Sequence, residues 1–184
     1  MRLVIISDIH GIKTNLNIVL DFYHNMKCDK LVVLGDVLNN GFYTYDYDPE
    51  YVEKVLRSMS DDVICVRGNC DTAADIINIT HHEASILEEL ETDNTKLYFT
   101  HGHLFNKNNW DKTNSILSTG HTHRPDITEF GTNLYINPGS ISKPRGFEKP
   151  SFLYFDDENF VIYDIDMKII AKKSIKNTNF SLKN

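Results

Sequence analysis

Met1-Arg-Leu-Val-Ile-Ile-Ser-Asp-Ile-His-Gly11 is the stretch whose reading decides the fold. The apolar run Leu3–Ile6 reads as a strand buried on both faces, and it passes directly into Asp8, Ile9, His10 and Gly11. On an extended backbone, side chains two apart share a face, so Asp8 and His10 are expected to point the same way. Open α/β sheets keep their chemistry at the carboxyl ends of core strands, which is where this pair sits.

Working outward, Asn15–Met26 places Leu16, Val19, Leu20 and Tyr23 at helical spacing, with Thr14 or Asn15 as the expected cap. Leu31–Leu34 is again a short apolar run and ends in Gly35-Asp36. Strand, helix and strand in that order imply a right-handed βαβ unit, which brings Asp36 beside Asp8 and His10. The loop Asn39–Pro49 is rich in aromatics (Phe42, Tyr43, Tyr45, Tyr47), and Pro49 opens a helix to about Met59. Such a loop could wall a pocket, pack on its own domain or meet a second copy, and Phe42 and Tyr45 are compatible with a homodimer.

Val63–Val66 reads as a third strand, followed by Arg67-Gly-Asn-Cys-Asp71, where the Asn69 amide oxygen can bind a metal without adding charge. His81 and His82 read as surface or helix-end residues. Residues 84–90 and 95–100 suggest two further strands, the second delivering His101-Gly-His103. A short helix is expected around Asp111–Asn114, next to Trp110. Ile116 and Leu117 lead to Gly120-His-Thr-His-Arg124, with His121 and His123 on one side. The remainder is strand-rich, at Asn133–Ile136, Ser151–Phe155, Phe160–Ile165 and Lys168–Lys172, which predicts a second sheet. No repeat or linker divides the chain, so residues 1–172 are expected to form one domain and the polar residues 173–184 a fraying tail.

With 184 residues, 41% apolar and 24% charged, the chain can bury a sizeable core without disulfides. Leu3–Ile6 is too short for a signal peptide, and no apolar run reaches membrane-spanning length. The cysteines Cys28, Cys65 and Cys70 are odd in number and form no CxxC pair, which suits a reducing, cytoplasmic setting. A net charge of -7 argues against nonspecific nucleic-acid affinity, and no basic aromatic stripe supports a nuclease.

Asp8, His10, Asp36, Asn69, His101, His121 and His123 thus form a set of O and N donors gathered at separate strand ends. A single histidine is usually structural, but capping alone does not explain seven such groups. The set needs no thiolate and is too nitrogen-rich for calcium, so it suits manganese, iron, zinc or a similar divalent ion. Two such ions outweigh the carboxylates of Asp8 and Asp36 together with a bridging hydroxide, leaving a net positive centre for a phosphate ester. Ions roughly 3.5–4 Å apart would activate that hydroxide for in-line attack on phosphorus.

Asp8-Ile-His10, Gly35-Asp36, Gly68-Asn69-Cys70-Asp71, His101-Gly-His103 and Gly120-His-Thr-His123, with Asn137-Pro-Gly-Ser140, resemble the ordered signature of calcineurin-like metallophosphoesterases. The small bacterial and archaeal phosphodiesterase branch is the nearest match. The resemblance implies a four-layer α/β/β/α sandwich and a binuclear site holding two divalent ions, with Mn2+ favoured and Ni2+, Zn2+, Fe2+ or Co2+ as substitutes. It implies Asp8, His10, Asp36 and His123 around one ion and Asp36, Asn69, His101 and His121 around the other, Asp36 bridging. His103 would lie alongside, touching phosphate or supporting a ligand, so Asp36, Asn69 and His103 are expected to act most directly on the reaction.

The departures carry information too. Many members have a histidine as leaving-group acid where this chain has Cys70, an aspartate partnering it where this chain has Asn39, and a phosphate-binding arginine where this chain has Asn40. A neutral thiol is a poor proton donor to a strongly basic alkoxide, so diesters or activated esters are expected over alkyl monoesters. Cys70 could pack or act as a redox-sensitive neighbour, and His103 could replace the acid. The expected function is therefore a metal-dependent phosphodiesterase acting on a small phosphoester. The alternatives are a phosphomonoesterase, a dinucleotide-polyphosphate hydrolase, or a noncatalytic scaffold like the retromer subunit of similar size. The scaffold is described as having eroded metal positions, whereas this chain retains all seven.

Overall fold

The computed structural model describes residues 1–39, 46–92, 95–145 and 149–177. Strands β1 (Leu3–Ile6), β2 (Lys30–Val33) and β3 (Val63–Cys65) pair in parallel, with Leu3 opposite Lys30 and Leu31 opposite Val63. The crossovers carry α1 (Lys13–Asn25) and α2 (Pro49–Ser58), and α3 (Ala73–Thr80) follows β3. Successive side chains of β1 serve two different cores, which is why the strand is apolar throughout. Val4 and Ile6 pack against Leu16 and Val19 of α1, Val52 and Leu56 of α2, and Ile76 of α3. Leu3 and Ile5 face Leu97, Phe99, Ile116 and Leu134 of a second sheet.

The first sheet is completed by the antiparallel strands β9 (Ser151–Phe155), β10 (Asn159–Asp164) and β11 (Ile169–Ser174), in the order β11-β10-β9-β1-β2-β3. The second comprises β4 (Leu87–Glu91), β5 (Lys96–Thr100), β6 (Ile116–Thr119), β7 (Pro125–Phe130) and β8 (Asn133–Pro138), in the order β4-β5-β6-β8-β7. β5, β6 and β8 are mutually parallel, and β4 and β7 are antiparallel edges. The result is an α/β sandwich of two mixed sheets flanked by helices. All three α-helices among the described residues lie on the first sheet. On the outer face of the second, Tyr98, Leu117 and Tyr135 pack with Trp110, from the irregular segment after β5. Trp110 meets Tyr98 edge-on at 5.1 Å and donates its indole N–H to Ser115 Oγ at 2.9 Å.

Several local expectations are corrected. α1 begins at Lys13 after Ile12, which offers no side-chain cap; Thr14 instead engages Asp46 through its N–H and hydroxyl. Asp111–Asn114 is not helical: Asn114 is left-handed, and its N–H donates to Thr132 Oγ1 while Asn133 Nδ2 donates to Lys112 O. Those bonds pull the segment onto the start of β8. The fold also runs past residue 172, because β11 continues to Ser174 and Ile175 is 2% exposed against the inter-sheet core. Residues 178–184 of the expected tail, and Asn40, Phe42, Tyr43 and Tyr45 of the aromatic loop, lie outside the described residues. The cysteines are free, and among the described residues no helix is long and apolar enough to cross a membrane.

Candidate metal centre

The parallel strands β1, β2 and β3 of one sheet and β5 and β6 of the other end on the same edge of the sandwich, and each is followed by candidate residues. Asp8 and His10 do not project from an extended strand as expected. β1 stops at Ile6, and Asp8 and His10 have φ of 55° and 51°. Asp36, His121 and His123 are also left-handed, with φ of 54°, 66° and 62°. A non-glycine residue there costs roughly 1–2 kcal/mol, so five such residues in one place need compensation from their surroundings. Part of it is a zipper beyond the ladder: Asp8 N–H donates to Gly35 O at 3.1 Å, His10 N–H to Asp36 O at 2.9 Å and Gly11 N–H to Val37 O at 2.8 Å.

Asp71 supplies another restraint that the sequence reading did not foresee. Its carboxylate accepts the N–H groups of Asp36 at 2.7 Å, Val37 at 2.8 Å and Gly68 at 2.8 Å, tying the end of β2 to the loop after β3. Burial pushes the Asp71 carboxyl up, against these donors. Gly68 is required by closeness, because a Cβ there would collide with the backbone nitrogen and carboxylate of Asp36. Asn137-Pro-Gly-Ser140 holds the remaining loops: Asn137 Nδ2 donates to Gly120 O at 2.7 Å, and Ser140 Oγ donates to Asp8 O at 2.8 Å.

Asp8, His10 and His123 converge, as do Asp8, Asp36 and His101, each group with its donor atoms within 4.8 Å of one another. His123 Nε2 lies 3.1 Å from Asp8 Oδ1, and His10 Nε2 lies 3.9 Å from both Asp8 Oδ1 and Asp36 Oδ2. The same Asp36 Oδ2 is 3.5 Å from His101 Nε2, which is 3.0 Å from Asn69 Oδ1. His121 packs against His101 with ring centroids 5.1 Å apart, and His103 sits 5.4 Å from His101 and 6.2 Å from His121. Cys70 is exposed rather than packed in the core; burial of its sulfur and the nearby charges of Asp36, Asp71 and Asp8 push its thiol up to about 12. Its Sγ accepts from Asn69 Nδ2 at 3.2 Å, and Asn39 Nδ2 donates to Cys70 O at 2.9 Å.

The histidine rings carry the test of whether a cation fits. His10 Nδ1 faces Asn39 O at 2.6 Å, His101 Nδ1 faces Leu34 O at 2.7 Å and His123 Nδ1 faces Lys143 O at 2.6 Å. A carbonyl only accepts, so each Nδ1 carries the proton, and in a neutral ring Nε2 turns a lone pair toward the carboxylates. Asp8 Oδ1 is buried without a hydrogen-bond partner. Lone pairs and carboxylates facing one another are stable only around positive charge, so the donor set fits divalent cations. Burial raises the Asp36 carboxyl, but the hydrogen bond and charge of His101 and the Cys70 N–H outweigh it and hold Asp36 well below the usual range. Burial drives His101 down and its carboxylate neighbours, with Asp36 first, bring it above the ordinary imidazole value. His103 is held below that value by burial and then by the positive charge of His101 and His121.

Beside these groups opens a cavity of about 400 Å3, lined by Asn69, Cys70, His121 and His123 and also by Lys143, Pro144 and Arg145. The sequence carried no signal for the last three except their place just after Asn137-Pro-Gly-Ser140.

Two mixed sheets whose strand ends assemble Asp, His and Asn donors into adjoining groups define a binuclear metallohydrolase site. The chain belongs to the calcineurin-like phosphoesterase superfamily, whose domain model matches residues 1–159, and it is a metal-dependent phosphoesterase. It is 34% identical over 181 residues to phosphodiesterase YfcE of Escherichia coli strain K12, covering 95% of this chain and 98% of that protein. The solved structure of that E. coli phosphoesterase superposes with a TM-score of 0.88, covering 95% of this chain and all of that one (100%). A phosphoesterase-like protein of Streptococcus pneumoniae TIGR4 is 25% identical with a TM-score of 0.63, covering 94% and 97%. Vps29 of Entamoeba histolytica complexed with Zn2+, at 20% identity, a TM-score of 0.66 and coverage of 95% and 99%, shares the fold.

Proposed function

We propose that this chain is a binuclear phosphodiesterase, with Asp8, His10, Asp36 and His123 holding one divalent ion and Asp36, Asn69, His101 and His121 the other. The observation that carries the reading is the convergence of the Nε2 atoms of His10, His101 and His123 on Asp8 and Asp36, with Asp36 Oδ2 within 3.9 Å of His10 and 3.5 Å of His101. Two ions held there supply an activated water and neutralise charge on the phosphoryl oxygens. Donors of oxygen and nitrogen without a thiolate favour Mn2+, with Ni2+, Zn2+, Fe2+ and Co2+ as substitutes.

The protein's own groups do the orienting. Asp36 Oδ1 accepts Cys70 N–H at 2.8 Å, which leaves Oδ2 turned to both histidine groups. Asp8 Oδ2 accepts His121 N–H at 3.0 Å, which fixes the carboxylate while Oδ1 stays available. Asn69 presents its amide oxygen because its Nδ2 is engaged with Cys70. His103 would serve the substrate from the flank of His101 and His121. A protonated thiol at Cys70 and an amide at Asn39 leave no acid–carboxylate pair for a basic leaving group. That favours diesters and activated esters, in keeping with the relation to phosphodiesterase YfcE. The free cysteines support a reducing, cytoplasmic setting.

Asp36→Ala tests the assignment. The variant, folded by circular dichroism, should lose both stoichiometric metal and nearly all hydrolysis of an aryl phosphodiester; turnover like that of the unaltered protein would refute it.

A further inference from the structure

With a thiol rather than an imidazole at position 70, the departing oxygen of an ester finds no strong proton donor and leaves as an anion. Among the described residues the cavity places one uncommitted cation to meet it. Arg145, on the segment between β8 and β9, lines the cavity with Asp36, Cys70, His121 and His123, and no hydrogen bond or ion pair engages its guanidinium. Lys143 also lines the cavity but has an interaction of its own. Pro144 fixes the backbone between two anchors: Lys143 O accepts from His123 Nδ1 at 2.6 Å, and Arg145 N–H donates to His123 O at 3.3 Å. The arginine therefore stands on a loop tied to one of the converging histidines. Its charge is felt at His121, which burial, then the charge of His101 and, further down, that of Arg145 hold below its ordinary value.

An in-line displacement sends the departing oxygen away from the attacking one. Here that direction leads from buried His10, Asp36 and His123 toward the exposed side of the cavity, where Cys70 and Arg145 stand. A hydroxide oxygen forms the new bond to phosphorus and keeps its proton. The bond from phosphorus to the ester arm breaks with its electron pair on the departing oxygen, which takes a proton from water once released. An imidazolium would neutralise that charge by giving up a proton, whereas a guanidinium meets it with charge-assisted N–H bonds and keeps its own. Donors aimed at charge that develops in the transition state speed its formation, and the gain grows with the basicity of the leaving group.

We propose that Arg145 is a catalytic residue whose guanidinium stabilises the negative charge on the departing oxygen of the phosphodiester, in place of proton transfer. The assignment rests on the phosphodiesterase reading and narrows the substrate class to esters of acidic hydroxyls, phenols above all.

A series of aryl phosphodiesters with phenols of rising pKa, hydrolysed by Mn2+-loaded protein, tests it through the slope of log kcat/KM against that pKa. Arg145→Gln should steepen the slope, losing about threefold for the 4-nitrophenyl ester and about thirtyfold or more for the phenyl ester. Arg145→Lys should fall between the two, and Arg57→Gln, which removes an equal charge from the exposed end of α2, should keep the slope of the parent. Binding gives a readout without turnover: 4-nitrophenolate, followed by the shift of its absorbance on titration with Mn2+-loaded protein, should bind about fivefold more weakly to Arg145→Gln than to the parent. A variant that slows every ester by one factor, an unchanged slope, or equal affinity for the phenolate overturns the role of Arg145. Unaltered protein that hydrolyses none of the series contradicts the phosphodiesterase reading, and the phenolate titration then still decides whether Arg145 meets an anionic oxygen in the cavity.

Discussion

Ser140→Ala asks whether the left-handed turns at the centre are held by the loop after β8. Ser140 is fully buried, and its hydroxyl donates to Asp8 O at 2.8 Å while accepting Ser142 N–H at 3.1 Å and Lys143 N–H at 2.8 Å. Alanine removes one oxygen and with it the partner of three backbone groups, of which Asp8 O is buried. At about 1 kcal/mol net per bond, the loss is about 3 kcal/mol. For a domain of this size that lowers Tm by roughly 6–12 °C. Ser142→Ala is the internal comparison, because that hydroxyl makes a single bond, to Ile9 O at 2.7 Å, and should cost about 1 kcal/mol. Thermal unfolding of metal-free protein reads both, and titration of Mn2+ should show the Ser140 variant weakened by about tenfold or more through Asp8. A Ser140→Ala Tm within about 1 °C of the parent, or no lower than that of Ser142→Ala, would refute the reasoning.

Gly68→Ala should disturb the centre out of proportion to its size, since its methyl group would displace the Asp36 backbone and carboxylate; metal affinity is expected to fall about 10- to 100-fold with the fold retained by circular dichroism, and unchanged affinity would count against the packing described. Cys70→His should keep both ions, measured by metal analysis, and raise the monoester-to-diester rate ratio by at least about threefold if a missing proton donor limits monoester cleavage. An unaltered ratio would show that the residue at 70 does not set ester preference.

Strands buried on both faces were the most legible part of the sequence. Leu3–Ile6, Leu31–Val33 and Phe152–Phe155 are apolar because two cores claim them. β7 was missed because Pro125–Phe130 is an edge strand of intermediate burial with Asp126, Thr128 and Glu129 among its six residues, so no apolar run announces it. α3 is absent from the sequence expectations, although Thr72 and Asp75 carry the signal of a reciprocal capping box that the structure contains. His81, left-handed at the end of that helix, is the helix-end residue its setting suggested.

At the centre, Asp8, His10, Asp36, Asn69, His101, His121 and His123 could be gathered from the sequence because strand ends converge in this topology. Their orientation could not. Periodicity describes extended backbone, whereas Asp8 and His10 owe their common direction to positive φ imposed by bonds to Gly35 and Asp36. Contacts across long sequence separations, such as Ser140 to Asp8 or Asp71 to Val37, leave no local pattern.

The measurement that bears most directly on the central claim is turnover of matched aryl phosphodiester and phosphomonoester substrates by metal-stripped protein. Manganese, nickel, cobalt, zinc and magnesium would be restored one at a time, with bound metal quantified alongside. The account predicts two ions per chain and manganese-dependent diester hydrolysis well above monoester hydrolysis. A folded protein that binds no metal stably, or one that cleaves diesters equally well without metal, would contradict it.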